Sequence, residues 1–568
     1  MNRILKYIIA NLLVISYLFV ISACFSNSYA VVTAESNYQD PPKLVIGLVV
    51  DQMRPDYIYR YWDKFGDNGF KRLVSGGAVF RNAHFQHLQT STGPGHASPF
   101  TGATPSIHGL IGNSWYVRET DSTVSVVRET GSGYKGVGTL PGYPEDLAPN
   151  NMLTTTVGDE LYLHTNKRSK IVGVSRKDRG AIIPAGHTGD AYWYEWASGN
   201  FITSTYYMDE LPGWVNDFNS RNLPQHYMRQ TWDTLLPIEE YVESREDDNP
   251  YEGMLPGMDS PTFPIDIARI VEEEGQNPGI LNRTPFIDKI TLELAKAAIE
   301  GEQLGMRDVS DILTVSLSGA DGIGHMFGPA SKQVQDYYLR LDQYLADFLE
   351  YLDIKLGMDN VLIFLTSDHG GSYIPEYLHD LKIPTGHTEF GISVATQVRD
   401  EISVFLEEKY GEDFLLSFSN QNVYLDHEVM DRKGLNHVEV QNSIKQFALG
   451  LSQIGGGITA YALHNHEFTT GMRAMTKYAF HQKRSGDVIL WYQAQTHGVG
   501  TGSTGHVSGW AYDSHAPIIF YGNNVSTREV YDRVYVTDIA STIAVFLNSP
   551  FPSGNIGNPL NGYMISAN

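Results

Sequence analysis

The chain has 568 residues, 42% hydrophobic and 19% charged, a globular composition longer than one small core needs. Its 41 Lys and Arg stand against 65 Asp and Glu, a formal net charge of -24 with no long basic run, which excludes nucleic acid and anionic lipid surfaces as principal partners. The single cysteine excludes an intrachain disulfide.

Residues 1–30 have the pattern of an export signal: Arg3 and Lys6, then an uncharged apolar run from Tyr7 to Ala23. That run is at the short limit for spanning a bilayer. Two endings compete. Ile21-Ser22-Ala23-Cys24 is a lipobox, which would put a lipid anchor on Cys24 as the only membrane attachment. Ser28-Tyr29-Ala30 is a small-x-small cleavage site for a freely soluble product. The destination is the periplasm, or the outer membrane or cell surface as a lipoprotein. Residues 31–42 read as a polar tether, and residues 43–568 as one large domain.

Five apolar runs read as buried strands: Lys43–Val50, Lys170–Val174, Ile312–Leu317, Val361–Leu365 and Ala516–Tyr521. Between the third and fourth, Leu341, Leu345, Phe348, Leu349, Leu352 and Leu356 share one helical face, closed by Gly357. Strands alternating with helices predict an α/β fold, a doubly wound and mostly parallel sheet flanked by helices. Residues 190–285 and 395–485 break this rhythm and read as cap insertions. In the first, Trp193, Tyr194 and Trp196 are either core or a stacking surface for a ligand ring.

Polar residues follow directly on the strand ends, where open parallel sheets bind ligands. Asp51 ends the first strand. Lys177-Asp178-Arg179 follows the second; two cations two apart on an extended segment point the same way. Asp321-Gly-Ile-Gly-His325 follows the third and puts a carboxylate and an imidazole on one side of a helix or turn. Asp368-His369 follows the fourth, and His506 lies in a late Gly-rich stretch. These oxygen and nitrogen donors, without thiolate, suit zinc; manganese or iron would tolerate them. Each piece alone has a bland explanation as a cap, turn or surface pair, but three strand ends at one sheet edge each carry a carboxylate. After the first strand, Thr90-Ser-Thr92-Gly-Pro-Gly-His96 leads into a predicted helix, whose N-terminus favours an anion.

In order, Asp51, Thr92-Gly-Pro-Gly-His96, Gly112-Asn113, Lys177-x-Arg179, Asp321-x-x-x-His325, Asp368-His369-Gly370 and a late His resemble the alkaline phosphatase superfamily. The resemblance is strongest to its bacterial periplasmic branch with a threonine nucleophile, the PafA-like enzymes, and spans about Val45 to Gly522. It implies an exported phosphate monoester hydrolase acting as a monomer on small-molecule phosphate monoesters with two Zn2+ per subunit. Asp321, His325 and His506 would hold one zinc. Asp51, Asp368 and His369 would hold the other, with Thr92 bridging toward it. Asn113, Lys177 and Arg179 would bind the phosphoryl oxygens. Thr92 would attack to give a phosphothreonine, which water then hydrolyses to release inorganic phosphate. The family's late segment differs from His506-Val-Ser-Gly-Trp-Ala-Tyr512-Asp513, so His515 and His497 stand as alternatives to His506, and Ser91 as the alternative nucleophile. A phosphodiesterase or nucleotide pyrophosphatase on the same scaffold is the competing activity.

Overall fold

This computed structural model describes residues 40–275, 277–386, 393–498 and 503–564. The predicted export signal, its two endings at Cys24 and Ala30, and all but the last residues of the tether lie outside these. Among the described residues no helix is long and apolar enough to cross a membrane.

The apolar runs become a ten-stranded sheet. In chain order its strands are β1 Leu44–Val50, β2 Ala78–Phe80, β3 Gly136–Val137, β4 Ile171–Ser175, β5 Asp190–Glu195, β6 Asn200–Ser204, β7 Asp311–Leu317 and β8 Val361–Thr366. A smaller sheet uses β9 Leu415–Ser419, β10 Asn422–Leu425, β11 Ile454–Thr459 and β12 Val488–Tyr492; the chain then returns to the main sheet with β13 Ile518–Gly522 and β14 Arg528–Val530. The main order is β14-β2-β13-β8-β1-β7-β4-β5-β6-β3. Its centre, β8-β1-β7-β4-β5, is wholly parallel.

Every residue of β1 is buried, because both faces of the sheet are covered. Leu44, Ile46, Leu48 and Val50 face one layer, with helices Phe286–Glu302 and Lys332–Lys355, whereas Val45 and Val49 face the other, with Phe100 and helix Asp538–Phe546. The alternation is the period-two pleat of a strand between two helical layers.

Two expectations change. The fifth predicted strand, β13, runs antiparallel to β8. The chain leaves β8 at its carboxyl end, passes through the cap, and re-enters from that same edge, so it must run the other way. The segment expected to be an insertion from residue 190 begins instead as β5 and β6 of the main sheet. Trp193 and Tyr194 are accordingly fully or nearly fully buried in the core, with Trp193 Nε1 donating to Tyr143 OH at 2.9 Å, while Trp196 is exposed.

The remainder of that segment is tied to helix Lys332–Lys355 by Asp336. This buried carboxylate accepts from Trp232 Nε1, the Leu235 N–H, Tyr241 OH and Arg340 Nε at 2.6 to 2.7 Å. Residues 394–492 form a separate layer, the antiparallel sheet β9-β10-β12-β11 with helices Val394–Tyr410 and His437–Ala448 around their own apolar core. Removing one partner of such a buried charged network costs about 3–5 kcal/mol. Asp336→Ala should therefore raise amide exchange across residues 231–241 well above the wild-type rate; unchanged protection there would contradict the role given to Asp336.

Candidate active site

β8, β1 and β7 are neighbours, and each delivers a carboxylate just beyond its carboxyl end: Asp368, Asp51 and Asp321. Asp51 and Asp368 are fully buried and Asp321 nearly so. Asp321 lies in the first turn of the helix Gly319–Phe327, with His325 one turn on, and His325 Nε2 is 3.1 Å from Asp321 Oδ1. The start of this helix is fixed by buried Asp288, which accepts from the Gly319 N–H with both oxygens and from Tyr337 OH at 2.7 Å.

The sequence reading missed Gln52. It has positive φ, 60°, directly after Asp51. Its backbone N–H donates to Asp368 Oδ1 and its Nε2 to Asp321 Oδ1, each at 3.1 Å, so one residue sets the spacing of the outer two carboxylates. A Cβ at residue 324 would fall 2.0 Å from Gln52 Oε1, which is why the Asp321–His325 turn carries glycine there.

The imidazoles of His325, His369 and His506 share one arrangement. Each Nδ1 lies 2.7 to 2.8 Å from a backbone carbonyl, of Thr504, Gly370 and Thr90 respectively. These bonds assign the proton to Nδ1; the unpartnered Nε2 of His369 is then free to ligate, while His325 Nε2 faces Asp321. The rings of His369 and His506 stack at 3.7 Å. Burial, with His369 and His325 nearby, pushes the His506 pKa well down, so this ring is neutral. Ligand atoms of Asp51, Asp368 and His369 gather within 4.8 Å of one another, as do those of Asp321, His369 and His506. His369 thus borders both groups, and His325 sits against Asp321. His515 lies elsewhere, stacked on His84 with its Nε2 at the Arg81 carbonyl.

Thr92 is the first residue of the helix Thr92–Thr101 and is 1% exposed. Lys177 Nζ lies 3.2 Å from Thr92 Oγ1, 2.6 Å from Asp51 Oδ2 and 2.7 Å from Asp321 Oδ2. Ser91, the alternative nucleophile, is the N-cap residue, and its buried Oγ has no hydrogen-bond partner. Asn113 Oδ1 accepts from the Gly93 N–H at 2.7 Å, which turns its amide N–H groups outward. His96 connects the helix to β7 and β8: its Nδ1 is 2.8 Å from the Thr92 carbonyl and 3.4 Å from Asp368 Oδ2, and its Nε2 is 2.9 Å from Ser316 Oγ. A Cβ at residue 95 would sit 2.1 Å from the Asp368 carbonyl, so only glycine lets this helix approach β8.

The cations do not lie on an extended segment. Lys177 is the N-cap of helix Asp178–Ala185, and Arg179 is in that helix's first turn. The buried Nε of Arg179 has no hydrogen-bond partner and its Nη1 is 3.5 Å from Asp178 Oδ1. Arg176, not singled out in the sequence, reaches the Ser318 carbonyl at 3.0 Å.

The donor set fits metal ions. Asp51 Oδ1, Asp368 Oδ2 and His369 Nε2 are buried without a hydrogen-bond partner, an arrangement that is costly unless a cation completes it. Burial, reinforced by Asp321 and Asp368 and opposed by Lys177 and His369, pushes Asp51 up to about 6. Burial also acts to raise Asp321 and Asp368. Lys177 and His325 nevertheless hold Asp321 well below the usual carboxylate range, and His369 and His96 do the same for Asp368.

The family description "Type I phosphodiesterase / nucleotide pyrophosphatase" matches residues 45–509. The chain is 39% identical over 531 residues to alkaline phosphatase PafA of Elizabethkingia meningoseptica, covering 93% of this chain and 95% of that one. It is 38% identical over 520 residues to alkaline phosphatase PhoV of Synechococcus elongatus, covering 91% and 92%. A crystal structure of wild-type alkaline phosphatase PafA superimposes with a TM-score of 0.86 at 38% identity, over 93% of this chain and 99% of that one. Side chains that orient metal ligands typically contribute about 10–100-fold to metal affinity. Gln52→Ala should lower zinc affinity by about that factor in chelator competition; an unchanged affinity would remove Gln52 from the site.

Proposed function

The chain belongs to the type I phosphodiesterase / nucleotide pyrophosphatase family, on its alkaline phosphatase branch, and we propose that it hydrolyses phosphate monoesters with Thr92 as nucleophile. The observation that carries this reading is Lys177, whose ammonium bridges Thr92 Oγ1 and the carboxylates of Asp51 and Asp321. It places a buried hydroxyl at a helix N-terminus, beside the carboxylates that attract metal.

Two zinc ions suit the donors, one with Asp321, His325 and His506, the other with Asp51, Asp368 and His369. When bound they supply Lewis-acid charge to phosphoryl oxygens and favour the ionised hydroxyl. The chain's own groups do the rest. The helix dipole at Thr92 favours the phosphoryl anion. Lys177 donates to Thr92 Oγ1 and steadies it as an alkoxide. Asn113, oriented by the Gly93 N–H, directs its amide donors at a phosphoryl oxygen. Arg179, whose Nε is unpaired, offers its guanidinium for the remaining charge of a monoester dianion.

Thr92 Oγ1 attacks phosphorus in line; its P–O bond forms as the ester P–O bond breaks. The alcohol leaves with a proton from solvent. Water then cleaves the phosphothreonine, returning Thr92 and releasing inorganic phosphate. The apolar leader with Arg3 and Lys6 supports export, to the periplasm or to a membrane surface through Cys24.

The test compares phenyl phosphate with methyl phenyl phosphate, with and without chelator and added zinc. Monoester turnover should dominate, vanish with chelator and return with zinc. Thr92→Ala should lower it on the order of 10³-fold or more, the scale of losing a nucleophile. Arg179→Ala should lower monoester turnover by about 10²–10³-fold, the scale of losing one charge-stabilising donor, and affect the diester far less. A faster diester reaction would favour the phosphodiesterase reading and overturn the role of Lys177 and Arg179.

A further inference from the structure

The cap reaches the metal-ligand cluster through the tip of the β9–β10 hairpin. Its two turn residues, Asn420 and Gln421, have φ of 48° and 63°, the left-handed pair of a tight hairpin turn. The tip is anchored on two sides. Asn420 Nδ2 donates to the Ser114 carbonyl, beside Asn113, and the Asn420 carbonyl accepts from Gln89 Nε2 at 3.0 Å. Gln421 Nε2 donates to the Val507 carbonyl at 2.6 Å, one residue past His506. Val507 is β-branched yet has φ of 75°, a strained conformation held by its surroundings.

Between these anchors lies a cavity of about 230 Å³. His325 and His506 form one side; Ala395, Phe418, Tyr492 and Val507 supply apolar walls. Among its described lining residues there is no Lys, Arg, Asp or Glu. Asn420, Gln421 and His497 add neutral polar groups to the described lining, which offers a leaving group with further phosphates no Lys or Arg, and a small polar alcohol would leave the apolar walls uncovered.

We propose that this cavity is the leaving-group pocket, that it selects neutral aromatic alcohols, and that Phe418 and Tyr492 determine this specificity. The proposal rests on the monoesterase reading of the adjacent site. It also assigns the leaving-group side to the cap of residues 394–492 and not to the Trp193–Trp196 segment. An aryl ring packed against Phe418 and the cavity-lining edge of Tyr492 keeps its ester oxygen on the side of His325 and His506.

Tyr492 belongs to the buried cap core, whereas Phe418 is only partly buried. Two variants are therefore suited to the test: Phe418→Ala, which removes a wall, and Ala395→Leu, which fills the cavity. In the zinc-loaded enzyme, kcat/KM is measured for phenyl phosphate and methyl phosphate, with inhibition by inorganic phosphate reporting the reaction centre. A few methylenes in a hydrophobic pocket change discrimination by about 10–200-fold; the phenyl-to-methyl ratio should fall on the order of 10-fold in each variant. An unchanged ratio in both, with wild-type turnover intact, would overturn the pocket and leave the monoesterase reading standing. Failure of the wild type to hydrolyse either ester would overturn both.

Discussion

Three carboxylates must be kept ionised in a nearly water-free crevice, and the rest of the site is arranged around that constraint. Asp368, Asp51 and Asp321 come from adjacent parallel strands, so the sheet itself sets them side by side. Lys177, from the end of the next strand, pairs its ammonium with two of them. Three carboxylates gathered this closely are costly in a medium where each unpaired ion costs several kcal/mol. Burial first, and then Asp321 and Asp368, push Asp51 up to about 6, which reflects that cost. Divalent cations remove it, and the positive field this creates lets a protein of net charge -24 bind a phosphate dianion.

Much of this was legible in the sequence because the informative features are local. A strand buried on both faces is an unbroken apolar run, as in Leu44–Val50, and the residue after it marks the sheet edge where ligands bind. The same rule located Asp51, Asp321 and Asp368. What escaped is set by tertiary approach. Nothing in the local pattern distinguishes Gln52 as a bridge between Asp321 and Asp368. The glycine at 324 was a clue of the right kind, since a motif glycine can mark a neighbour's side chain as well as a turn. Lys177 and Arg179 looked like an extended pair, but the helix starts at Asp178, so Lys177 is its N-cap and Arg179 lies in its first turn. The direction of β13 depends on where the cap returns to the sheet, which local periodicity does not encode.

The cap illustrates the same division. Its alternating β9 and β10 strands and amphipathic helices build an independent core. Yet the functional part is the two-residue tip, Asn420–Gln421, whose Ser-Asn-Gln-Asn sequence carries only a weak turn signal. Its significance comes from partners far away in sequence, Ser114 and Val507. A rigid sheet edge thus supplies charge and nucleophile, while a separately folded layer supplies the surface beside which the alcohol departs, a division common where loops tune chemistry on a fixed scaffold.

The buried carboxylates of Asp51, Asp321 and Asp368 hold metal. The most direct measurement is the metal content of protein purified without chelator, compared between wild type and Asp51→Asn. Two divalent ions per chain in the wild type, with a substantial loss on substituting Asp51, is the result the account predicts. Full monoester turnover by a wild-type chain that holds no divalent ion would contradict it.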